Sequence, residues 1–263
     1  MRAGVTVASA RVDCASVRAS RSAWLWVAVL CAWSALGDTG VVRHRGLAGP
    51  LAVLGVLRVD LFERSFGLDI AASGLRVLCG VLLGSCAGVM LGLWLGGRPE
   101  RRAALEPKLD FARTIPPLLI FSLFVLFLGY GEAARVLTIA LVAALLVSMQ
   151  LSAAMAAVSA ERLRLLRALG AGWLARVRFV YLYELTPACL LALRQAVCAG
   201  LVVTVVTEML VGAVYGLGTR ALDAQIAYDA PRLYAVMLVT GALGHGVASA
   251  LLRLEQRLKS LWG

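Results

Sequence analysis

The sequence predicts an all-α, polytopic membrane protein of about six transmembrane helices, with one further helix on the cytoplasmic side between spans four and five. Three observations carry this expectation. Of 263 residues, 61% are hydrophobic and the mean hydropathy is +0.86; the apolar residues fall in runs near or above the roughly 20 needed to cross a bilayer. The cationic residues cluster beside those runs rather than within them. A basic stretch at 158–187, with Arg162, Arg164, Arg167, Arg176 and Arg178, separates two long apolar runs.

Taken in order, residues 1–70 are expected to hold a basic cytoplasmic segment, a first helix and an external loop. The run Ala23–Leu36 is short for a full span, and Ala35-Leu36-Gly37 has the small residues of a signal-peptide cleavage site. An uncleaved first helix with Arg21 snorkelling at its inner end is the preferred reading, and Trp24, Trp26 and Trp33 suit interfacial anchors. Residues 38–71 mix charge with apolarity, which fits an external loop carrying an interfacial helix.

Residues 71–263 read as the main membrane domain. The second span, about 71–97, carries Gly80, Gly84, Gly88, Gly92 and Gly96 at strict four-residue spacing. Side-chain-free positions one turn apart let another helix approach closely. Residues 98–113 read as a charged cytoplasmic loop. Pro116-Pro117 opens a third span that ends at Gly129-Tyr130-Gly131, and the fourth covers about 133–157. Leu163, Leu166, Leu169 and Trp173 then recur at helical spacing, until Gly170-Ala171-Gly172 breaks the pattern. A second amphipathic piece, 173–183, leads to a fifth span at about 187–211. An outer loop with Gly212, Gly216 and Gly218 precedes the sixth span, about 233–252, and the tail.

Charge asymmetry orients this layout. With both termini inside, the inner segments hold 17 Lys/Arg and the outer loops 7, which places 158–187 on the cytoplasmic side. The net charge of +11 therefore reflects topology, and nucleic acid is not an expected partner, because few aromatics interleave the arginines. The basic stretch serves either a partner protein or lipid headgroups. Six cysteines without a CxxC pair, mostly inside apolar runs, read as packing residues.

Few residues suggest chemistry. No phosphate-binding loop, HExxH or GxSxG is present, so no cofactor or metal is expected on this chain. Glu208 is a carboxylate late in an apolar run, with Arg194 fourteen residues earlier. Such a group faces a cavity or a partner by default. The alternative is an outer-leaflet carboxylate that packs on a loop or pairs with Arg220. His245, in a glycine-rich stretch, reads as a helix-contact hydrogen bonder. An intramembrane enzyme using Glu208 and His245 as acid and base is the rival from another class, although neither residue sits in a catalytic motif.

Several segments together resemble the membrane-spanning permease subunit of ATP-binding-cassette importers, in the nitrate, sulfonate and taurine branch. They are Arg167-Ala168-Leu169-Gly170-Ala171 with Val180, Pro187 and Leu193-Arg194; Leu105-Glu106-Pro107, Asp110-Phe111, Arg113, Ile115-Pro116-Pro117 and Gly129-Tyr130-Gly131-Glu132; then Thr207-Glu208-Met209-Leu210, Gly216-Leu217-Gly218, Asp223-Ala224-Gln225, Pro231-Arg232 and Leu254-Glu255-Gln256-Arg257. The resemblance runs from about Ser73 to the C-terminus. Two departures stand out: Arg164-Leu165-Leu166 replaces the usual Glu-Ala-Ala, and Tyr183 replaces a proline. Glu161, a turn earlier, is a candidate for the missing acid.

The resemblance implies a bacterial inner-membrane subunit, not itself an enzyme, that pairs with a second permease copy. It implies a separate ATPase subunit, which binds ATP and Mg, and a periplasmic or lipid-anchored substrate-binding protein. Glu161, Arg164, Arg167, Ala168, Gly170, Ala171 and Trp173 would form the coupling helix and turn that rest on the ATPase. Arg194 and Glu208 are the pathway or gating candidates; Gly80, Gly84, Gly88 and Gly92 are the packing positions. The implied cargo is a small oxyanion such as a sulfonate, taurine or nitrate, with thiamine or its pyrimidine precursor as the alternative.

Overall fold

The computed structural model describes residues 28–29, 31–37, 46–158, 160–170, 172 and 180–262. Helices account for all the regular structure among them: α1 (Pro50–Asp60), α2 (Arg64–Gly96), α3 (Pro99–Thr114), α4 (Pro117–Leu128), α5 (Glu132–Ala156), α6 (Ala160–Ala168), α7 (Leu182–Val211), α8 (Leu217–Ile226) and α9 (Ala230–Trp262). Residues 31–37 are also helical, whereas Trp24, Trp26 and most of the expected first span lie outside the described residues. Among the described residues four helices are long and apolar enough to cross a membrane, or five if the bent pair α3–α4 is one span.

The chain divides into two compact units. The smaller comprises the described residues up to Glu63 together with Asp223–Ala235. Its core joins Ala48, Val53, Ala230 and Ala235, with Trp33 and Tyr234 packed beside them. The Trp33 indole N–H donates to the Ala48 carbonyl at 2.8 Å, so this tryptophan is tied into the fold. Asp60, fully buried, accepts from Arg232 at 3.2 Å.

The larger unit, Arg64–Leu222 with Val236–Gly263, is built on α2, α5 and α7. Val77 and Val81 of α2, Ile139, Ala143 and Val147 of α5, and Ala192, Ala196 and Leu201 of α7 form one core. The outward residues of α2, including Leu75, Leu78, Leu82, Leu83 and Met90, are exposed. Such a face suits lipid, and in lipid a helix is a stable form because every backbone group is bonded within the segment.

The glycines set the α2–α5 contact. A Cβ on Gly84 would lie 2.1 Å from the Ala140 carbonyl oxygen, one on Gly88 2.8 Å from that of Ala144, and one on Gly92 2.9 Å from that of Ser148. Gly80 and Gly96 extend the ladder to Ile139 and Met155. Residue numbers rise together along both helices, so α2 and α5 run parallel. Residues 97–131 must therefore cross back to the opposite end of the bundle.

That return differs from the sequence expectation. Residues 98–113, expected as a loop, form α3, with Pro99 in the first turn and an Arg102–Glu106 pair one turn apart at 3.0 Å. The third span is also no single apolar helix. Pro116 and Pro117 push the preceding backbone out of the α region (Ile115 has ψ 122°), and α3 meets α4 at an 86° bend. The 12 residues of α4 are about 18 Å long, less than a hydrocarbon core.

Other boundaries shift as well. Helix α7 begins at Leu182 and contains Pro187 rather than starting there. The outer loop holds α8, and the tail continues α9 without a break. Charged side chains do not end a helix whose backbone bonds are already closed.

The ladder predicts a sharp local difference. Gly84→Ala forces a methyl into the Ala140 carbonyl and should lower stability in detergent by about 1–3 kcal/mol. Gly74→Ala on the same helix, where nothing lies within 4 Å, should be neutral or slightly stabilising. Thermal unfolding followed by size-exclusion chromatography compares the two.

Candidate functional site

Glu208 sits one turn before the end of α7 and is 0% exposed. An ionised carboxylate there is tolerable only if it is paired and hydrogen-bonded. Its oxygens accept from Arg76 Nη1 at 2.6 Å, from Ser73 Oγ at 2.9 and 3.0 Å, and from the Gly218 N–H at 2.8 Å. Arg76 in turn donates through Nε and Nη2 to Glu132 at 2.5 and 2.8 Å, and through Nη1 to the Tyr215 carbonyl at 2.8 Å. Arg135 joins at Glu132, at 2.8 Å, and also donates to the Gly212 carbonyl.

A second arm starts one turn earlier on α2. Asp69 accepts from the Gly216 N–H at 2.9 Å and from Arg220 Nε at 2.8 Å, while the Leu217 N–H donates to Ser73 Oγ at 2.9 Å. The Arg220 guanidinium also lies over the Phe66 ring at 4.9 Å. The two arms bring together three carboxylates (Asp69, Glu132, Glu208) and three guanidiniums (Arg76, Arg135, Arg220), so the cluster is neutral as a whole.

Together these bonds fasten the 212–220 segment onto the start of α2. Glycine makes the approach possible. Gly212 ends α7 at φ +70°, and a Cβ on Gly216 would lie 2.6 Å from the Glu208 carboxylate. On Gly218 it would lie 2.2 Å from the Val205 carbonyl oxygen. Residues 212–220 thus hand their N–H groups to the carboxylates that face them.

The sequence had offered Glu208 three settings: a cavity or partner, a loop contact, or an ion pair with Arg220. The structure gives it the loop contact and a pair with Arg76, while Arg220 goes to Asp69. Arg194, fourteen positions earlier on the same helix, is about 21 Å away along the axis and does not meet Glu208. The rival acid–base pair is not assembled: His245 contacts Ser249 at 3.2 Å and shares no hydrogen bond with Glu208. Asp69, Ser73, Arg76, Glu132 and Arg135 were not among the sequence candidates. The first three stand at i, i+4 and i+7, one face of a helix, which is the signal that could have found them.

At the other end of the bundle, α6 joins α5 to α7. Glu161, Arg164 and Ala168 are exposed and Arg167 lies in the same helix. Leu165 and Leu169 stand out at 62% and 72% exposure. Gly170 follows with φ +70°, a conformation that favours glycine. Ala171 and Trp173 lie outside the described residues. Arg162 bonds Glu184 at 3.1 Å, tying α6 to the first turn of α7.

The buried cluster makes a prediction about stability. Glu208→Gln keeps the shape but removes a charge from beside Arg76, and should cost about 3 kcal/mol. Glu208→Gln and Arg76→Gln should be strongly non-additive, the double variant losing less than the two singles together. A double-mutant cycle by thermal unfolding measures this.

Comparison with known proteins identifies the family and the fold. Residues 84–260 match the binding-protein-dependent transport system inner membrane component family. A Bacillus subtilis protein named as an aliphatic sulfonates transport permease, SsuC, is 26% identical over 88% of this chain and 83% of its own. The taurine transport system permease protein TauC of Escherichia coli is 32% identical over 57% of this chain and 54% of its own. The fold is shared with a chain of the MetNI methionine ABC transporter in an inward-facing conformation, at a TM-score of 0.60 and 20% identity, over 74% of this chain and 94% of that one. With well over half of its length matched, the chain belongs to the binding-protein-dependent transport system inner membrane component family and is an ABC transporter permease.

Proposed function

We propose that this chain is one of two permease copies forming the path of an ATP-driven importer, whose cargo is a small solute of the sulfonate or taurine type. The observation that carries the coupling is α6 with its left-handed Gly170 turn, inserted between α5 and α7. A short helix with two exposed leucines, Leu165 and Leu169, and cationic neighbours is suited to a groove on a partner. That partner is an ATPase subunit holding ATP and Mg. The Arg162–Glu184 bond gives any displacement of α6 a direct route into α7.

The other components follow from the family. A periplasmic or lipid-anchored binding protein delivers the solute at the outer side, where the 212–220 segment lies. Six crossings with both termini in the cytoplasm accommodate the charge asymmetry, with α3–α4 as one bent crossing. Glu208 contributes to gating by fixing the outer segment rather than by touching cargo. The solute class rests on the names of the relatives SsuC and TauC.

Purification of the tagged chain from native membranes in mild detergent should bring an ATPase subunit in equal amount, and the reconstituted complex should take up taurine or an alkanesulfonate on ATP addition. A chain that purifies alone would remove the importer reading. Leu165→Asp with Leu169→Asp should abolish recovery of the ATPase while leaving the chain folded. Gly170→Val costs about 1–2 kcal/mol in the turn, enough to lower uptake about tenfold. Wild-type uptake in that variant would mean that α6 is not the lever.

A further inference from the structure

One polar feature inside the spans is used neither by the buried cluster nor by α6. Gln150 of α5 donates through Nε2 to Gln195 Oε1 of α7 at 3.1 Å, with Gln195 exposed and Gln150 half-buried. The hydroxyls of these helices behave differently. Ser148, Ser152, Thr138, Thr204 and Thr207 all donate back to carbonyls of their own helix and ask nothing of the surroundings.

A carboxamide cannot do this. Each offers two N–H donors and an acceptor oxygen with two lone pairs. The single bond between the two glutamines leaves most of that capacity open, and among the described residues neither makes another hydrogen bond. In hydrocarbon each unsatisfied group costs several kcal/mol. This face therefore meets water or polar solute. The outward face of α2 is its opposite, with Leu75, Leu78, Leu82, Leu83 and Met90 exposed and Cys86 among them.

The neighbourhood extends the argument. Cys198, one turn after Gln195 on α7, is exposed. Arg194, immediately before Gln195 in the chain, is half-buried and has no ion pair among the described residues. It adds positive potential without a fixed contact.

We propose that Gln150 and Gln195 form a water-facing hydrogen-bonding station on the solute path, one that favours small solutes bearing an oxyanion. The proposal rests on the importer reading. Neutral N–H donors near a guanidinium can hold sulfonyl or carboxyl oxygens while still letting them leave, which a transport path requires. A facing copy of the chain would contribute a second pair.

The native cysteines supply the first test. In membranes containing the assembled complex, variants retaining only Cys198 or only Cys86 are exposed to a charged, water-soluble methanethiosulfonate. Modification of Cys198 should be at least about tenfold faster, because only a thiolate in water reacts. Equal rates, or a slower Cys198, would overturn the proposal. The second test is uptake of taurine by proteoliposomes holding the whole complex. Gln195→Leu and Gln150→Leu should each lower uptake about tenfold with the ATPase still bound, and Gln195→Asn should recover part of it. Wild-type uptake in both leucine variants also sinks the idea. Should the wild-type chain carry no ATPase and no uptake, the importer reading fails instead, and the labelling contrast still decides whether this face is wet.

Discussion

The contact between Arg76 and Glu208 is the one on which this end of the larger unit depends. Both groups are buried, and a buried charge is tolerable only when it is paired and hydrogen-bonded, as these two are. Once paired, they organise what surrounds them. Glu132 completes the guanidinium and draws in Arg135 from α5; Ser73 and Gly218 complete the carboxylate. Three spans and the segment after α7 are thereby joined through side chains that would otherwise be liabilities in lipid. The arrangement is specific as well as stabilising, since a rotated α2 would leave several buried charges without partners.

The two ends of the bundle are built on different principles. One end is closed by charge and by backbone N–H groups delivered where glycine leaves room. Along their length α2 and α5 are held by the close approach of one helix's glycines to the other's carbonyls and Cβ atoms. At the other end α6 is exposed, with Leu165 and Leu169 open to the surroundings. Rigidity is thus concentrated away from α6.

Much of this fold was legible in the sequence because hydrocarbon imposes one simple rule on a chain. Hydropathy located α2, α5 and α7 to within a few residues at most ends, since a helix must be apolar for about the thickness of the bilayer. The ends themselves were not legible. Arg64 to Asp69 fell within the expected external loop with its interfacial helix because that stretch mixes charge with apolarity, yet they begin the long helix α2, with Asp69 bonded to Arg220 and Gly216. Residues 98–113 read as loop for the same reason, although Pro99, Glu100 and the Arg102–Glu106 pair are ordinary helix-starting and helix-supporting features. The cluster around Glu208 was half visible. Glu208 was conspicuous by its isolation, but its partner lies 132 positions away, and local pattern carries no information about which spans meet. Only the shared face of Asp69, Ser73 and Arg76 hinted that α2 was that partner.

The four-residue ladder also bears on how such a chain can change over generations. A single residue inserted between Gly80 and Gly96 turns everything beyond it by about 100° and carries the remaining glycines off the α5 carbonyls. Substitutions on the outward face are cheap by comparison, because lipid accepts any apolar shape. The outward face of this stretch of α2 is therefore free to drift in composition while its length is frozen, and gains or losses of residues must collect in the connections beyond it.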